Sequence, residues 1–243
     1  MKIKLVSNFR DYYDYWFDLE GDVEFKRIST GGMSRPDMLK YLSSHDIPTP
    51  FYGYVKEFTR EIDPMYHDLI KVIVHTNPNT HWGEGKELMT LEEAAEKYPD
   101  SFITFYEDTG RPAESIRDLY IGGRVFRMRY KSDDSWRSNV GNVEIGIISR
   151  WPLHRELKDI GKEYPLFAID YVSRQRRGME PTNMPWYVAV DFNEAPGLKG
   201  TGIENILDAT EVVDLIRTWY TKNMRKAKPK ADDGTDLENQ RGE

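Results

Sequence analysis

Apolar residues fall along this chain in short alternating or continuous blocks, separated by glycine, proline and polar clusters. KIKLV (Lys2 to Val6) and VEFKRIS (Val23 to Ser29) read as strands on either side of the aromatic-rich DYYDYWFDLE (Asp11 to Glu20), which reads as a helix. These three precede the break at Gly31-Gly32 and would form a very small first lobe. A helix is predicted over Pro36 to Ser44, because proline is favoured in the first helical turn and Ser34 is placed to cap it; Ile47-Pro48-Thr49-Pro50 then ends it. LIKVIV (Leu69 to Val74) is a continuous apolar strand that leads into the polar loop HTNPNTHWGEGKE. Further on come a helix at Leu91 to Lys97, a strand at Phe102 to Tyr106, and SIRDLYI and RVFRMRY about Gly122-Gly123, which read as a hairpin. Pro152 to Tyr164 reads as helical. Two apolar strands follow, and Ile203 to Tyr220 carries Ile203, Ile206, Leu207, Val212, Val213, Leu215, Ile216 and Trp219 at the spacing of a closing amphipathic helix.

Each of those last two strands carries one acid. Asp170 lies in AIDYV and Asp191 in AVDFNEAPGLKGTGI, so neighbouring strands could point both carboxylates the same way, with Asn193 sharing the face of Asp191. Magnesium prefers oxygen ligands and usually keeps phosphate oxygens and water in its shell, so two acids and an amide on rigid strands suit it. The implied ligand is ATP with its metal. Gly83, Gly85 and Lys86 in the polar loop add a second element of such a site, since glycine lets backbone N–H groups approach an anion. An acid in an apolar strand is more often a satisfied buried carboxylate, and PGLKG alone is only a turn; together and in this order they point to a metal site.

Composition narrows the classes. At 243 residues, 39% apolar and 13% aromatic, the chain can hold one sizeable core or two small lobes. No apolar stretch reaches membrane-spanning length and none resembles a secretory segment, which predicts a cytoplasmic protein. The absence of cysteine excludes disulfides, thiolate metal sites and a cysteine nucleophile. The five histidines, His45, His67, His75, His81 and His154, show no metal-ligand spacing. A net charge of −7 argues against a general nucleic-acid surface. The exception is KNMRKAKPK (Lys222 to Lys230), which reads first as a solvated C-terminal tail and second as a nucleic-acid contact.

The order IPTP, strand, glycine-containing loop, SIRDLYIGGRVF, WRSN, AIDYV, DFNEAPGLKGTGI and a last helix resembles the ATP-grasp superfamily, and most of all RimK-type carboxylate–amine ligases. The resemblance implies an α+β ATP-grasp fold, two lobes gripping ATP. It divides the chain into a reduced N-terminal lobe (1–33), an ATP-grasp domain (34–223) and a charged tail (224–243). Carried over by position, Asp170, Asp191 and Asn193 become magnesium ligands, with Asp191 where the family usually has glutamate. Arg117 and Arg137 match arginines near the phosphates or the activated carboxylate, and Asn139 the asparagine beside them. Glu107 is the candidate for the adenine or ribose contact. Arg35 and His75 stand where family members carry two ATP-binding lysines. Arg35 keeps a fixed charge, whereas His75 near neutral pH is only partly charged; Lys86 or Lys71 could compensate.

The implied reaction is phosphorylation of a carboxylate by ATP to an acyl phosphate, followed by attack of an amine to give an amide, ADP and phosphate. Its partners would be ATP, Mg2+, a carboxylate substrate and an amine acceptor such as an amino acid, peptide or protein. The alternative is a catalytically degenerate ATP-grasp protein that serves as a nucleotide-binding or interaction module. Retention of both acids, Asn193 and Arg137 favours the enzyme.

Overall fold

The alternating blocks pair into two antiparallel sheets. The computed structural model describes residues 3–7, 23–27, 33–77, 85–148, 156–174, 186–194, 196–198 and 200–224. The strands among the described residues are β1 (Ile3–Ser7), β2 (Val23–Arg27), β3 (Tyr52–Tyr54), β4 (Lys71–His75), β5 (Lys86–Thr90), β6 (Phe102–Phe105), β7 (Ala113–Ile121), β8 (Arg124–Ser132), β9 (Val143–Ile147), β10 (Leu166–Arg174) and β11 (Trp186–Asn193). The helices are α1 (Arg35–Ser44), α2 (Val55–Glu61), α3 (Leu91–Lys97), α4 (Leu157–Glu163) and α5 (Ala209–Met224). The small sheet has the order β3-β6-β4-β5 and the large sheet β11-β10-β7-β8-β9; β1 and β2 form a separate parallel pair.

The two-residue period of β10 decides how the large sheet is covered. Leu166 and Ala168 face one side, where they pack with Leu119, Ile121 and Met128 beneath Val212, Val213 and Ile216 of α5. Phe167, Ile169 and Tyr171 face the other, against Met38, Leu39 and Leu42 of α1 and Leu157 and Ile160 of α4. Burying both faces is the main drive to fold, at about 1.5–3 kcal/mol for each large apolar side chain. The small sheet has its own core, in which Val72, Val74 and Ile103 lie under Val55 of α2 and Leu91 and Ala94 of α3. Within β6, Phe102 joins the large-sheet core and Ile103 the small-sheet core, so one strand ties the two together.

Local chemistry explains the boundaries. Ser34 caps α1 by accepting from the Asp37 N–H at 3.3 Å, as its position predicts. The Gly122-Gly123 hairpin joins β7 and β8 with φ of +54° and +101°, and β6 lies within the predicted strand. The closing helix departs from prediction: Ile203–Asn205 is a 3-10 turn and α5 begins at Ala209. The Asp208 carboxylate accepts from the Glu211 N–H at 2.8 Å and the Glu211 carboxylate from the Asp208 N–H at 2.9 Å, a capping box that starts the helix there. The strand predicted from Leu69 is β4, shifted to Lys71–His75, and the end of the predicted polar loop is strand β5. Of the predicted helix Pro152 to Tyr164, Leu157–Glu163 is helical and residues 151–155 lie outside the described set. The predicted helix at Asp11 to Glu20 also lies outside it.

Candidate active site

Asp170 and Asp191 are directly opposite each other on β10 and β11, and Arg117 of β7 is directly opposite Asp170 on the other side. All three therefore share one face of the large sheet. A bulge produces this: the register shifts between Asp170 and Tyr171, so Tyr171 pairs with Ala189 and Val190 is the extra residue. Ala189 packs in the α1-side core, whereas Asp191, two residues later, faces the opposite way. Asn193 pairs with Ala168 and shares the face of Asp191.

Both acids are engaged by arginine. Arg117 donates from Nε and Nη2 to the two oxygens of Asp170 at 2.6 and 2.7 Å, and its guanidinium lies 5.6 Å from the Tyr130 ring centre. Arg35, the first residue of α1 and only 7% exposed, donates from Nη1 to Asp191 Oδ1 at 2.9 Å and to the Val190 carbonyl at 3.0 Å. Burial works against the Arg117 charge, yet Asp170 outweighs it and raises the pKa. Burial also pushes the Asp191 carboxyl up, but Arg35, Lys86 and Arg117 together hold it below the ordinary range.

The small sheet supplies two further groups. His75 and Lys86 are cross-strand partners on β4 and β5. His75 is buried, with Nε2 3.2 Å from Thr104 Oγ1 and its ring 5.7 Å from that of Phe102. Burial, and then the charges of Arg35 and Lys86, lower its pKa to about 3, so it is neutral rather than partly charged as expected from its type. Lys86 is lowered to about 8 by burial and then by Arg35, against the pull of Asp191 and Asp170; Arg137 also acts on it. These mutual fields place Arg35, His75, Lys86, Arg137, Asp170 and Asp191 in one neighbourhood.

The remaining candidates lie on loops. Arg137 follows Trp136, whose ring is 5.1 Å from its guanidinium and packs edge-on against Tyr106 at 5.9 Å. Glu107 comes next after Tyr106, whose N–H donates to the Lys71 carbonyl at 2.9 Å at the end of the small sheet. Asn139 is exposed in the loop of Arg137. Gly85, at φ +63°, accepts from the Thr76 N–H at 2.9 Å and closes the base of the polar loop; Gly83 lies outside the described residues. Lys71 is exposed at the far end of β4 from His75, which leaves Lys86 as the lysine within the cluster. The sequence reading missed Tyr130 and Trp136; the alternation of Met128 and Tyr130 along β8 was the legible signal for the first.

Chemically the cluster sets Arg35, Lys86, Arg117 and Arg137 against Asp170 and Asp191, with His75 neutral. The surplus is two positive charges, the complement of a nucleoside triphosphate carrying one divalent cation. Among the described residues no three His, Asp or Glu side chains converge on a point. Two carboxylates and an amide on one face fit a cation that takes its other ligands from phosphate and water.

No protein-family model matches the sequence and no curated protein matches it. Solved structures do resemble it. The ATP-grasp ligase PsnB, complexed with a phosphomimetic variant of minimal precursor, Mg and ADP, is similar at a TM-score of 0.51 and 14% identity over 84% of this chain. The chain spans 64% of the length of PsnB. D-alanine–D-alanine ligase from Bacillus anthracis is similar at a TM-score of 0.50 and 12% identity, over 93% of this chain and 99% of the ligase. N5-carboxyaminoimidazole synthetase from Staphylococcus aureus, complexed with ADP, gives 0.50 and 12%, over 89% and 70%. With its two antiparallel sheets, flanking helices and these neighbours, the chain has the α+β ATP-grasp fold.

Proposed function

We propose that this protein is an ATP- and Mg2+-dependent carboxylate–amine ligase of the ADP-forming, RimK-like kind, joining an amino acid to a peptide or protein end through an acyl phosphate. In this reading residues 34–223 form the ATP-grasp unit, 1–33 a reduced N-terminal lobe and 224–243 a charged tail. The observation that carries it is the pairing of Asp170 with Asp191 on one sheet face, with Arg35, Lys86 and Arg117 brought to them from separate elements. A buried acid kept only for stability has no need of a second acid opposite it. Similarity to enzymes solved with ADP supports the nucleotide, and PsnB, solved with Mg and a minimal precursor, supports the metal.

Asp170, Asp191 and Asn193 would hold Mg2+, which when bound neutralises phosphate oxygens and orients them. Arg35 and Lys86 bind phosphate from the α1 and small-sheet sides, and Gly85 closes the base of the polar loop. Arg117 and Arg137 stabilise charge that develops on the transferred phosphoryl group and the activated carboxylate. Glu107 contacts the adenine or ribose, and Asn139 acts beside Arg117 and Arg137 on the reacting groups. No side-chain nucleophile is needed, since positioning and electrostatics carry phosphoryl transfer.

A second reading rests on a specific observation: His75, in the place of a family lysine, is uncharged. It makes the protein a nucleotide-binding or interaction module without turnover. Hydroxylamine separates the two, because it intercepts an acyl phosphate. Incubation with ATP, Mg2+ and a panel of amino acids and acidic peptides should give a hydroxamate and stoichiometric ADP with the right carboxylate. ATP binding with no hydroxamate from any carboxylate would leave the module; AMP and pyrophosphate would mean a different ligase class.

A further inference from the structure

The site face of the large sheet extends beyond the acids. Across it the register places Asp191, Asp170, Arg117, Met128 and Ile147 in one row, from β11 through β10, β7 and β8 to β9. Strands lie about 4.8 Å apart, so Ile147 stands roughly 10 Å from Arg117 along the row. β9 is an edge strand, and its Ile145 and Ile147 are 39% and 52% exposed on this face. With Gly200, Gly202, Glu204 and Asn205 they line a cavity of about 480 Å³. That lies within the usual range for small-ligand sites, about 300–1,000 Å³.

The opposite wall is a held turn. Thr201 Oγ1 donates to the Leu198 carbonyl at 2.6 Å, the Asn205 N–H to the Gly202 carbonyl at 3.2 Å, and the Gly200 N–H to the Glu204 carboxylate. Glu204 therefore has a fixed position, and among the described residues it is the ionisable group of the lining. Its charge reaches the row: burial pushes the Tyr130 phenol up, Arg117 opposes this, and Asp170 and Glu204 add to it. Tyr130, with its ring 5.6 Å from the Arg117 guanidinium, feels both Arg117 and Glu204.

The ligase reading, on which this inference rests, needs two organic substrates of opposite charge. Carboxylate and phosphate belong with Arg117 and Arg137. The other end of the row offers one carboxylate beside two exposed aliphatic side chains. We propose that this cavity is the amine-acceptor subsite, where Glu204 draws in the acceptor as its ammonium ion and accepts the proton that leaves before the nitrogen attacks, while Ile145 and Ile147 cover an aliphatic body.

Glu204→Gln tests this while keeping an oxygen for the Gly200 N–H. With methyl-labelled isoleucines, n-butylammonium should shift the Ile145 and Ile147 signals of the wild type, and Glu204→Gln should weaken its binding about tenfold, the scale of a charge-assisted contact. Uncharged n-butanol should bind the wild type as weakly as n-butylammonium binds the variant. Equal n-butylammonium affinity in the two proteins, or shifts confined to other isoleucines, would overturn the assignment. Turnover gives an independent reading, because hydroxylamine is largely uncharged at neutral pH. The acceptor KM should rise about tenfold in Glu204→Gln, well beyond any change in hydroxamate yield; a hydroxamate with an unaltered acceptor KM also overturns the assignment. A wild type that forms no hydroxamate defeats the ligase reading instead, and the methyl shifts still decide the cavity.

Discussion

Lys86 and His75 face each other across β5 and β4 beside Arg35, and their proton equilibria set how the site responds to pH. Unfolded, Lys86 would hold its proton to 10.5, but in the fold burial and then Arg35 lower this to about 8. Between those values the unfolded chain binds the extra proton, so this group's contribution to stability rises with pH and is lost as pH falls through about 8. ATP binding has the opposite dependence, since only charged Lys86 attracts phosphate. Calorimetric titration of ATP from pH 7 to 9 should show affinity falling several-fold in the wild type and little change in Lys86→Gln; parallel slopes would remove Lys86 from the phosphate site. His75 is neutral above about 3, so His75→Lys adds a third cation beside Arg35 and Lys86. We expect that variant to melt lower and to bind ATP about as well as the wild type; binding that appears only in His75→Lys would mark a degenerate site. Asp170→Asn carries its own stability loss, because it leaves the Arg117 guanidinium, 16% exposed, without its bidentate partner. The loss should be about 3–5 kcal/mol by urea unfolding, which makes Asn193→Ala the cleaner probe of metal-dependent binding.

At the level of elements, the site depends on how strands are turned and docked. The Gly122-Gly123 hairpin holds β7 and β8, and hence Arg117, under α5. A Cβ on Gly122 would lie 2.2 Å from the Leu215 carbonyl oxygen of α5, at a φ of +54° that side chains rarely adopt. Gly122→Ala should therefore lose at least about 2 kcal/mol of stability, seen as a lower melting temperature; an unchanged melting temperature would mean that α5 does not rest on this turn. The hairpin was legible because two alternating strands flank a glycine pair, and α1 because Ser34 and Pro36 mark its start. The two acid strands were legible from their apolar flanks, but not the bulge at Val190, which depends on pairing and leaves no local pattern. β3, β5 and β9 escaped because each is short and largely exposed or half-buried on one side, so alternation is weak. The start of α5 was misplaced because Ile203 and Leu207 are buried like helix residues although a 3-10 turn carries them. Candidate chemistry was readable as residue types; the arginine that holds each acid was not, because Arg35 and Asp191 are 156 residues apart.

Over the whole molecule, a chain of net charge −7 brings Arg35, Lys86, Arg117 and Arg137 together around two acids. Lys86 and His75 come from the small sheet, Asp170, Asp191 and Arg117 from the large one, and Arg35 from α1, which precedes both in sequence. No single core spans these groups: the small sheet has its own, and the large sheet is covered separately on its two faces. A ligand that touches all of them therefore adds to the link that Phe102 of β6 already makes between the two sheets, and its binding energy appears as stability of the whole chain. A ligand at a hundred times its Kd adds about 2.7 kcal/mol to the folded state, and at about 2–4 °C per kcal/mol for a domain of this size the melting temperature should rise by about 5–11 °C. The rise needs the phosphates to meet Arg35 and Lys86 while a divalent cation bridges them to Asp170 and Asp191, which would otherwise repel them. ATP with Mg2+ should thus give the full shift, ATP with EDTA only a small part of it, and Mg2+ alone almost none, because both acids are already engaged by arginine. Asn193→Ala should shrink the ATP–Mg2+ shift without lowering the melting temperature of the free protein. A full shift in the presence of EDTA would show that the arginines and Lys86 bind phosphate unaided, and would remove Asp170, Asp191 and Asn193 from the role of metal ligands.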